Sequence, residues 1–423
     1  MTFKPVTDWK PILQGAEAEL ARSVACEIGR DLQVHPAGQR TTSGVSTGEA
    51  GMALTFATLA EQFPEFADEA QARLARAVDL NNASFRTPTL HAGVAGLAWV
   101  AQHVLGPDDD DAKEIAKDVD GYLAEFVEQR PWEYPLELEI GLAGIGIYAL
   151  SRPKNSETRR ILDACVGHLA ELVEPREGGC AWRTTMRYAM PDLHARYPRG
   201  MFDLGAAHGI PPIIAFLAAC ERRGVQEDVV APLWRGAFCW MVGLAQTSHH
   251  LPQYGAFFHG DELVSDADTF RWCVGDPGIS ANLVLAAALA GGPSETAAAW
   301  AVARRSAEFG LRRPEDGRGN LCCGAAGRAL ISHRLFLRSG EPLFERAALN
   351  EYRSLLRLRS PGSGIGGYNE PMDDPPSSPN PTFLYGAGGI ALALLAASSA
   401  QPPVWDGMLS LSLPAEDEMR AKG

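Results

Sequence analysis

Three cysteines and a histidine stand at matching positions beside glycines: Cys273 two residues before Gly275, Cys322 and Cys323 two and one before Gly324, and His208 one before Gly209. Thiolates are metal ligands, and zinc binds such donors tetrahedrally. Three protein ligands with a fourth position open mark a catalytic zinc site, whereas structural sites are usually closed with four. If the glycine turns share one end of the protein, Cys273, Cys322 and Cys323 form a three-thiolate cluster supplied by two consecutive turns, with His208 arriving from the turn before. The competing reading treats cysteines as small buried hydrophobes, and it suits Cys26, Cys165, Cys220 and Cys239. It suits the turn cysteines less, because thiols beside flexible glycines at one register favour a metal. A Cys322–Cys323 disulfide would force adjacent residues into a strained ring. Cys180, in Gly178-Gly-Cys-Ala-Trp182, has no assignment.

The elements that must position these groups form a repeat. Glycine makes up 43 of 423 residues, and the excess recurs as pairs three apart that open an apolar stretch. Six copies are clean: Gly48–Gly51, Gly93–Gly96, Gly141–Gly144, Gly275–Gly278, Gly324–Gly327 and Gly386–Gly389. A degenerate copy at Gly209 carries Pro212 in place of the second glycine. The leading glycines are 45 to 68 residues apart, room for two helices and their loops. The stretches after the turns (Met52 to Leu59, Leu97 to Leu105, Ile145 to Leu150, Ile213 to Cys220, Ile279 to Ala290, Ala329 to Leu337, Ile390 to Ala397) are apolar nearly all round and read as buried inner helices. Glu17 to Leu32, Asp111 to Glu128 and Glu157 to Leu172 are charged on one face, as an outer layer should be. Alternation of period two is nearly absent. Small residues let a helix start pack closely, and glycine tolerates a positive-φ turn leading in. Seven helical hairpins without recognisable capping repeats favour a closed ring over an open solenoid.

Length and charge limit the alternatives. A chain of 423 residues suggests two or three domains, but a closed repeat uses that length as one, here residues 1–400, with a flexible tail over 401–423. The formal net charge of −14 argues against nucleic acid, which needs a basic face. The most apolar runs are about half the roughly 20 residues that span a bilayer, and the N-terminus lacks the pattern of a secretory signal, so a cytoplasmic location is expected.

At this point the motifs match a family. Arg271-Trp-Cys-Val-Gly-Asp-Pro-Gly278 resembles the WCxGxPG signature of the lanthionine synthetase C-like cyclases, and Leu321-Cys-Cys-Gly-Ala-Ala-Gly327 resembles their CHG signature with Cys in place of His. Asp203-Leu-Gly-Ala-Ala-His-Gly209 resembles the AHG segment, and Phe383-Leu-Tyr-Gly-Ala-Gly-Gly-Ile390 fits the last turn, so the resemblance runs from about residue 40 to 398. It implies an all-α fold, an α/α toroid of seven inner and seven outer helices. It also implies a zinc ion and the addition of a peptide Cys thiol to dehydroalanine or dehydrobutyrine, giving a thioether. The implied zinc ligands are Cys273, Cys322 and Cys323; a His208 ligand is the runner-up. Three thiolates leave the site at net −1 and an incoming peptide thiolate makes it −2, raising nucleophilicity at some loss of Lewis acidity.

The resemblance also implies that His208 protonates the enolate left at Cα, a role suited to a group that titrates near neutrality. A carboxylate four residues before the third turn is expected to help. Here that is Glu137, although Glu139 in the same run is an equal candidate for facing the site. The family's Arg four before the first zinc Cys is Thr269 here, with Arg271 two before, and Val274 replaces the Tyr that follows the Cys. These departures bear on substrate positioning. His91 and Trp272 read as rim and packing residues, and His249 and His250 as exposed loop residues.

Two long insertions suggest surfaces for substrate. Gly178 to Phe202 carries Arg183, Arg187, Arg196 and Arg199 interleaved with Trp182, Tyr188 and Tyr197, a candidate peptide-binding loop; packing on the rim is the bland alternative. Ser360 to Thr382 is rich in Pro, Gly and Ser and reads as a mobile loop near the last turn. The expected substrate is a dehydrated precursor peptide made by a separate dehydratase, since the toroid fills the chain. Other readings are an enzyme adding a small thiol such as glutathione to dehydroamino acids, a zinc-stabilised scaffold with four protein ligands, and a glycosidase. The last would need paired carboxylates, for which the turns offer only Asp276 and Glu49.

Overall fold

The computed structural model describes residues 9–34, 42–84, 86–184, 191–247, 252–260, 262–264, 269–370 and 379–413. Arg187, Tyr188, His249 and His250 lie outside them. The described chain divides into two compact units. The first holds Asp120–Gly310 and the described residues from Asp406 on; the second holds the described residues up to Val119 and Leu311–Trp405.

In the first unit the apolar stretches after the turns form α6 (Leu142–Ser151), α9 (Pro211–Arg223) and α11 (Asp276–Ala290). Each is followed by an amphipathic partner: α7 (Ser156–Leu172), α10 (Glu227–Thr247) and α12 (Pro293–Gly310). Every residue from Leu142 to Leu150 is buried, the pattern of a helix packed on all sides. Helix α7 starts at a capping box in which Thr158 N donates to Asn155 Oδ1 at 2.8 Å and Asn155 N to Thr158 Oγ1 at 3.0 Å. Such caps contribute about 1 kcal/mol.

The second unit contains α1 (Gly15–Val34), α2 (Glu49–Ala60), α3 (Ala67–Asn82), α4 (Val94–Leu105), α13 (Ala325–Ser339), α14 (Pro342–Leu358) and α15 (Ala387–Ser398). Helix α14 buries Phe344, Ala347, Ala348, Glu351, Tyr352 and Leu355, one stripe at helical spacing. Helix α1 packs against α15: Trp9 Nε1 donates to Ala396 O at 2.7 Å, and the Ile12 and Leu13 amides both donate to Ala397 O at 2.9 Å. The remaining long helix, α5 (Asp110–Val127), straddles the division.

The glycine pairs owe their spacing to a close approach. In the turns of Gly51, Gly96, Gly278, Gly327 and Gly389 the second glycine sits against the carbonyl six residues earlier. A Cβ would lie 1.9 Å from Val45 O at Gly51, 1.9 Å from Trp272 O at Gly278 and 2.0 Å from Leu321 O at Gly327. Any side chain there would push the preceding loop away from the helix start. The positive φ expected of the leading glycines occurs at Gly275 alone (φ 99°); Gly48, Gly93, Gly141, Gly324 and Gly386 are extended. The sterics of the folded-back loop, rather than left-handed backbone, therefore explain the motif. In the degenerate copy the helix begins two residues after Gly209, at Pro211.

The first unit also carries short strands that the sequence did not show. β1 (Val173–Arg176) pairs antiparallel with β2 (Gly179–Trp182), and β3 (Phe202–Asp203), β4 (Phe257–His259) and β5 (Glu262–Val264) form a second small sheet. A short helix, α8 (Pro191–Arg196), lies between β2 and β3. The flexible tail expected from Gln401 is packed as far as residue 413. Trp405, Met408, Leu409 and Leu411 are buried, and Ser410 Oγ donates to Asn282 Oδ1 at 2.8 Å. Apolar side chains at close spacing gave this stretch something to bury. Among the described residues no helix is long and apolar enough to cross a membrane.

Candidate functional site

In the first unit Gly205 to His208 forms a turn that lies on the backbone of Cys273. Ala207 N donates to Cys273 O at 3.2 Å, and a Cβ on Gly205 would lie 2.4 Å from the same oxygen. Below Cys273, Trp272 is fully buried and its Nε1 donates to Leu409 O at 2.9 Å, so it packs, as expected. Thr269, in the position of the family's arginine, is buried with its carbonyl tucked under Gly275, where a Cβ would meet it at 1.4 Å. Helix α11 begins at Asp276, whose buried carboxylate accepts from Gln253 N and Tyr254 N at 2.9 and 3.0 Å. Burial raises its pKa to about 6 against those donors.

His208 is half-exposed, and its Nδ1 lies 3.5 Å from Oε1 of buried Glu137. Glu137 is held in place by the amides of Glu139 and Ile140, the latter at 3.1 Å. Of the two glutamates in this run, Glu137 is the one that contacts His208. Burial works against the imidazolium, but the Glu137 hydrogen bond and charge, helped by Glu139 and Asp203, outweigh it and push His208 up to about 9. Asp203, which accepts from Gly205 N at 2.7 Å, is pushed up to about 6 chiefly by burial. Sequence reasoning missed Asp203, although it stands in the quoted motif five residues before His208. His208, Glu137 and Asp203 line one side of a cavity of about 270 Å³, whose remaining wall is largely apolar.

The insertion after Gly178 forms part of that wall. Trp182 is buried with Nε1 donating to Leu169 O at 2.8 Å, and Tyr197 packs at a tilt against His259 with ring centroids 4.7 Å apart. Arg183 is paired with Glu174 at 2.6 Å and lies over the Phe202 ring. Arg196 and Arg199 are exposed. The aromatic side chains were drawn inward by the apolar surface beside them. Cys239, expected to be buried, is exposed, whereas Cys180 is half-buried with its sulfur 3.4 Å from Leu233 O, and burial raises its thiol to about 11.

In the second unit the turn before α13 places the Cys322 and Cys323 sulfurs 3.4 Å apart, with no disulfide between them. Two sulfurs on one tetrahedral zinc at a Zn–S distance of about 2.3 Å would be roughly 3.8 Å apart, so the pair fits the ion to within a few tenths of an ångström. Asn320 Oδ1 accepts from Cys323 N at 2.8 Å, and Cys322 N donates to Leu384 O at 3.1 Å. Glu370 braces this turn: its buried carboxylate accepts from Gly319 N and from Asn320 Nδ2, both at 2.7 Å. The Pro, Gly and Ser-rich loop is thus anchored in its described part, with Ile365 and Tyr368 buried as well. Glu370 was hidden in the sequence by that composition. His91 is buried with Nδ1 2.7 Å from Ser46 Oγ, a packed rim residue, and buried Glu49 is paired with Arg73 at 3.3 Å. With Asp276 also committed, neither carboxylate considered for a glycosidase is available. Cys273, in the first unit, and Cys322 and Cys323, in the second, are side chains of a kind that could hold a metal ion.

Comparison with known proteins identifies the family. The chain matches the lanthionine synthetase C-like protein family over residues 40–410 and belongs to it. It is 25% identical over 217 residues to the nisin biosynthesis protein NisC of Lactococcus lactis subsp. lactis, a match that spans 46% of this chain and half the length of that relative. A solved structure of nisin cyclase superposes with a TM-score of 0.71 at 17% identity, covering 95% of this chain and 98% of the other. That likeness shows the all-α α/α-toroid fold expected from the sequence.

Proposed function

We propose that the protein is a zinc-dependent lanthionine synthetase, adding cysteine thiols of a dehydrated precursor peptide to dehydroalanine or dehydrobutyrine. Cys273, Cys322 and Cys323 would hold the ion and leave one position open. Bound zinc would supply the loss of the proton from an incoming thiol whose pKa is otherwise about 8.5. The observation that carries the reading is that the turn bearing His208 is hydrogen-bonded to the backbone of Cys273, which couples a proton donor to the thiolate group.

In the reaction a C–S bond forms at the β-carbon and the C=C electron pair moves to Cα. His208, raised to about 9, is an imidazolium at neutral pH and gives its proton to Cα; the proton lost by the thiol restores it. Glu137 keeps His208 charged and fixes its ring through Nδ1. The contact of His208 Nδ1 with Glu137, at 3.5 Å, supports the donor role over the alternative ligand role. Thiol chemistry of this kind needs a reducing compartment, which argues for the cytoplasm, and the dehydrated substrate calls for a dehydratase acting first. Incubating the zinc-loaded protein with a dehydrated Cys-containing peptide, then alkylating thiols and measuring mass, tests the reading. Cyclised peptide resists alkylation, and a peptide that remains fully alkylated refutes it.

A further inference from the structure

We infer that the cavity beside His208 is a subsite for a bulky apolar side chain, aliphatic or aromatic, on the residue adjacent to the dehydroamino acid in the substrate peptide. The inference rests on the proposed cyclase reading and deepens it. Leu136, Ile140, Trp182, Met201, Ile213 and Phe257 form the apolar wall, and His208 with Glu137 closes the polar side. At about 270 Å³ the space falls below the roughly 300–1,000 Å³ that holds a whole drug-sized ligand. It therefore suits one or two side chains, not a length of peptide.

Charge narrows the occupant further. Arg183, the one cation in the wall besides His208, is neutralised by Glu174, so the wall offers an acidic side chain no unpaired guanidinium. Glu137 is committed to His208 and two backbone amides, and Asp203 to Gly205, so a hydroxyl or amide side chain would find few open partners. The geometry of the reaction decides which peptide residue reaches the space. His208 must point at Cα of the dehydro residue, whose own side chain is the electrophile and faces the thiolate. The next residue has its Cα about 3.8 Å away, and its side chain is the one that can enter a cavity lined by His208.

The probes are synthetic dehydroalanine peptides with Phe, Leu, Gly or Asp immediately before or after the dehydro residue, in versions with and without cysteine. Calorimetry on the cysteine-free set reads binding, and alkylation-resistant product on the cysteine set reads turnover. Phe or Leu should be preferred over Gly by roughly tenfold or more in both, the range a hydrophobic pocket delivers. Ile140→Trp and Ile213→Trp each fill part of the space and should collapse that preference to within about twofold. Ile140 is 36% exposed, so its replacement leaves the fold intact even if the change at buried Ile213 does not. Equal turnover of all four peptides would overturn the subsite and leave the cyclase reading standing. A binding preference without turnover of any peptide would support the subsite and sink the cyclase reading.

Discussion

Replacing Glu137 with Gln should turn His208 from a charged residue into a mostly neutral one at working pH. The structure gives the size of the effect. His208 is raised from an ordinary 6.5 to about 9, against the effect of burial, and Glu137 supplies both the hydrogen bond and the leading charge. Glutamine keeps the side-chain length and an oxygen for the amides of Glu139 and Ile140, but has no charge. With the pKa back near 6.5, the charged fraction of His208 at pH 7.5 falls from roughly 97% to about a tenth, and cyclisation limited by proton delivery slows about tenfold. The sign fixes the pH dependence. The raised pKa contributes stability to the imidazolium form that is fully present below 6.5 and lost as pH rises through about 9. The wild-type rate should therefore hold through neutrality and fall near 9, whereas the variant should fall near 6.5. The assay is twofold: histidine ring-proton NMR of the metal-free protein against pH, and the pH–rate profile of thioether formation. A His208 titration that stays near 9 in the variant, or an equal loss of rate at every pH, would refute the argument.

Cys273→Ala and Cys322→Ala should each abolish stoichiometric zinc, read by atomic absorption, while far-ultraviolet circular dichroism stays at the wild-type level; loss of the helical signal would favour a structural metal. Glu370→Ala removes the brace on the Cys322–Cys323 turn and should weaken zinc binding about 10–100-fold, as loss of a group that orients metal ligands commonly does; competition with a chromogenic chelator measures it. Gly278→Ala drives a Cβ to 1.9 Å from Trp272 O, so it should destabilise by about 1–3 kcal/mol in urea unfolding and displace the turn that carries Cys273. Trp405→Ala, within the segment first read as a tail, should cost about 3–5 kcal/mol in the same measurement.

Much was legible because it is local. The apolar stretch read from Ile390 to Ala397 is α15 (Ala387–Ser398), and Glu157 to Leu172 is α7 with one more residue at its start. A helix packed on all sides has no polar face, and an outer helix has one, so composition and spacing reveal both. The turn positions of the cysteines were legible for the same reason: a residue two before a glycine turn is placed by that turn alone. Glu370 was not, because it reaches back 50 residues to Asn320, and no local pattern marks such a contact. The burial of Trp182 and Tyr197 depended likewise on surface supplied by other segments.

The sequence by itself determined the repeat, the helices and the positions at which thiols and an imidazole are displayed, since each follows from sterics and hydrophobic spacing within a few residues. The tertiary structure alone decided that α1 is the partner of α15, that Glu137 is the glutamate in contact with His208, and that an apolar cavity lies beside that imidazole. Those outcomes depend on which distant surfaces exclude water together, and burial at long range leaves no period in the chain.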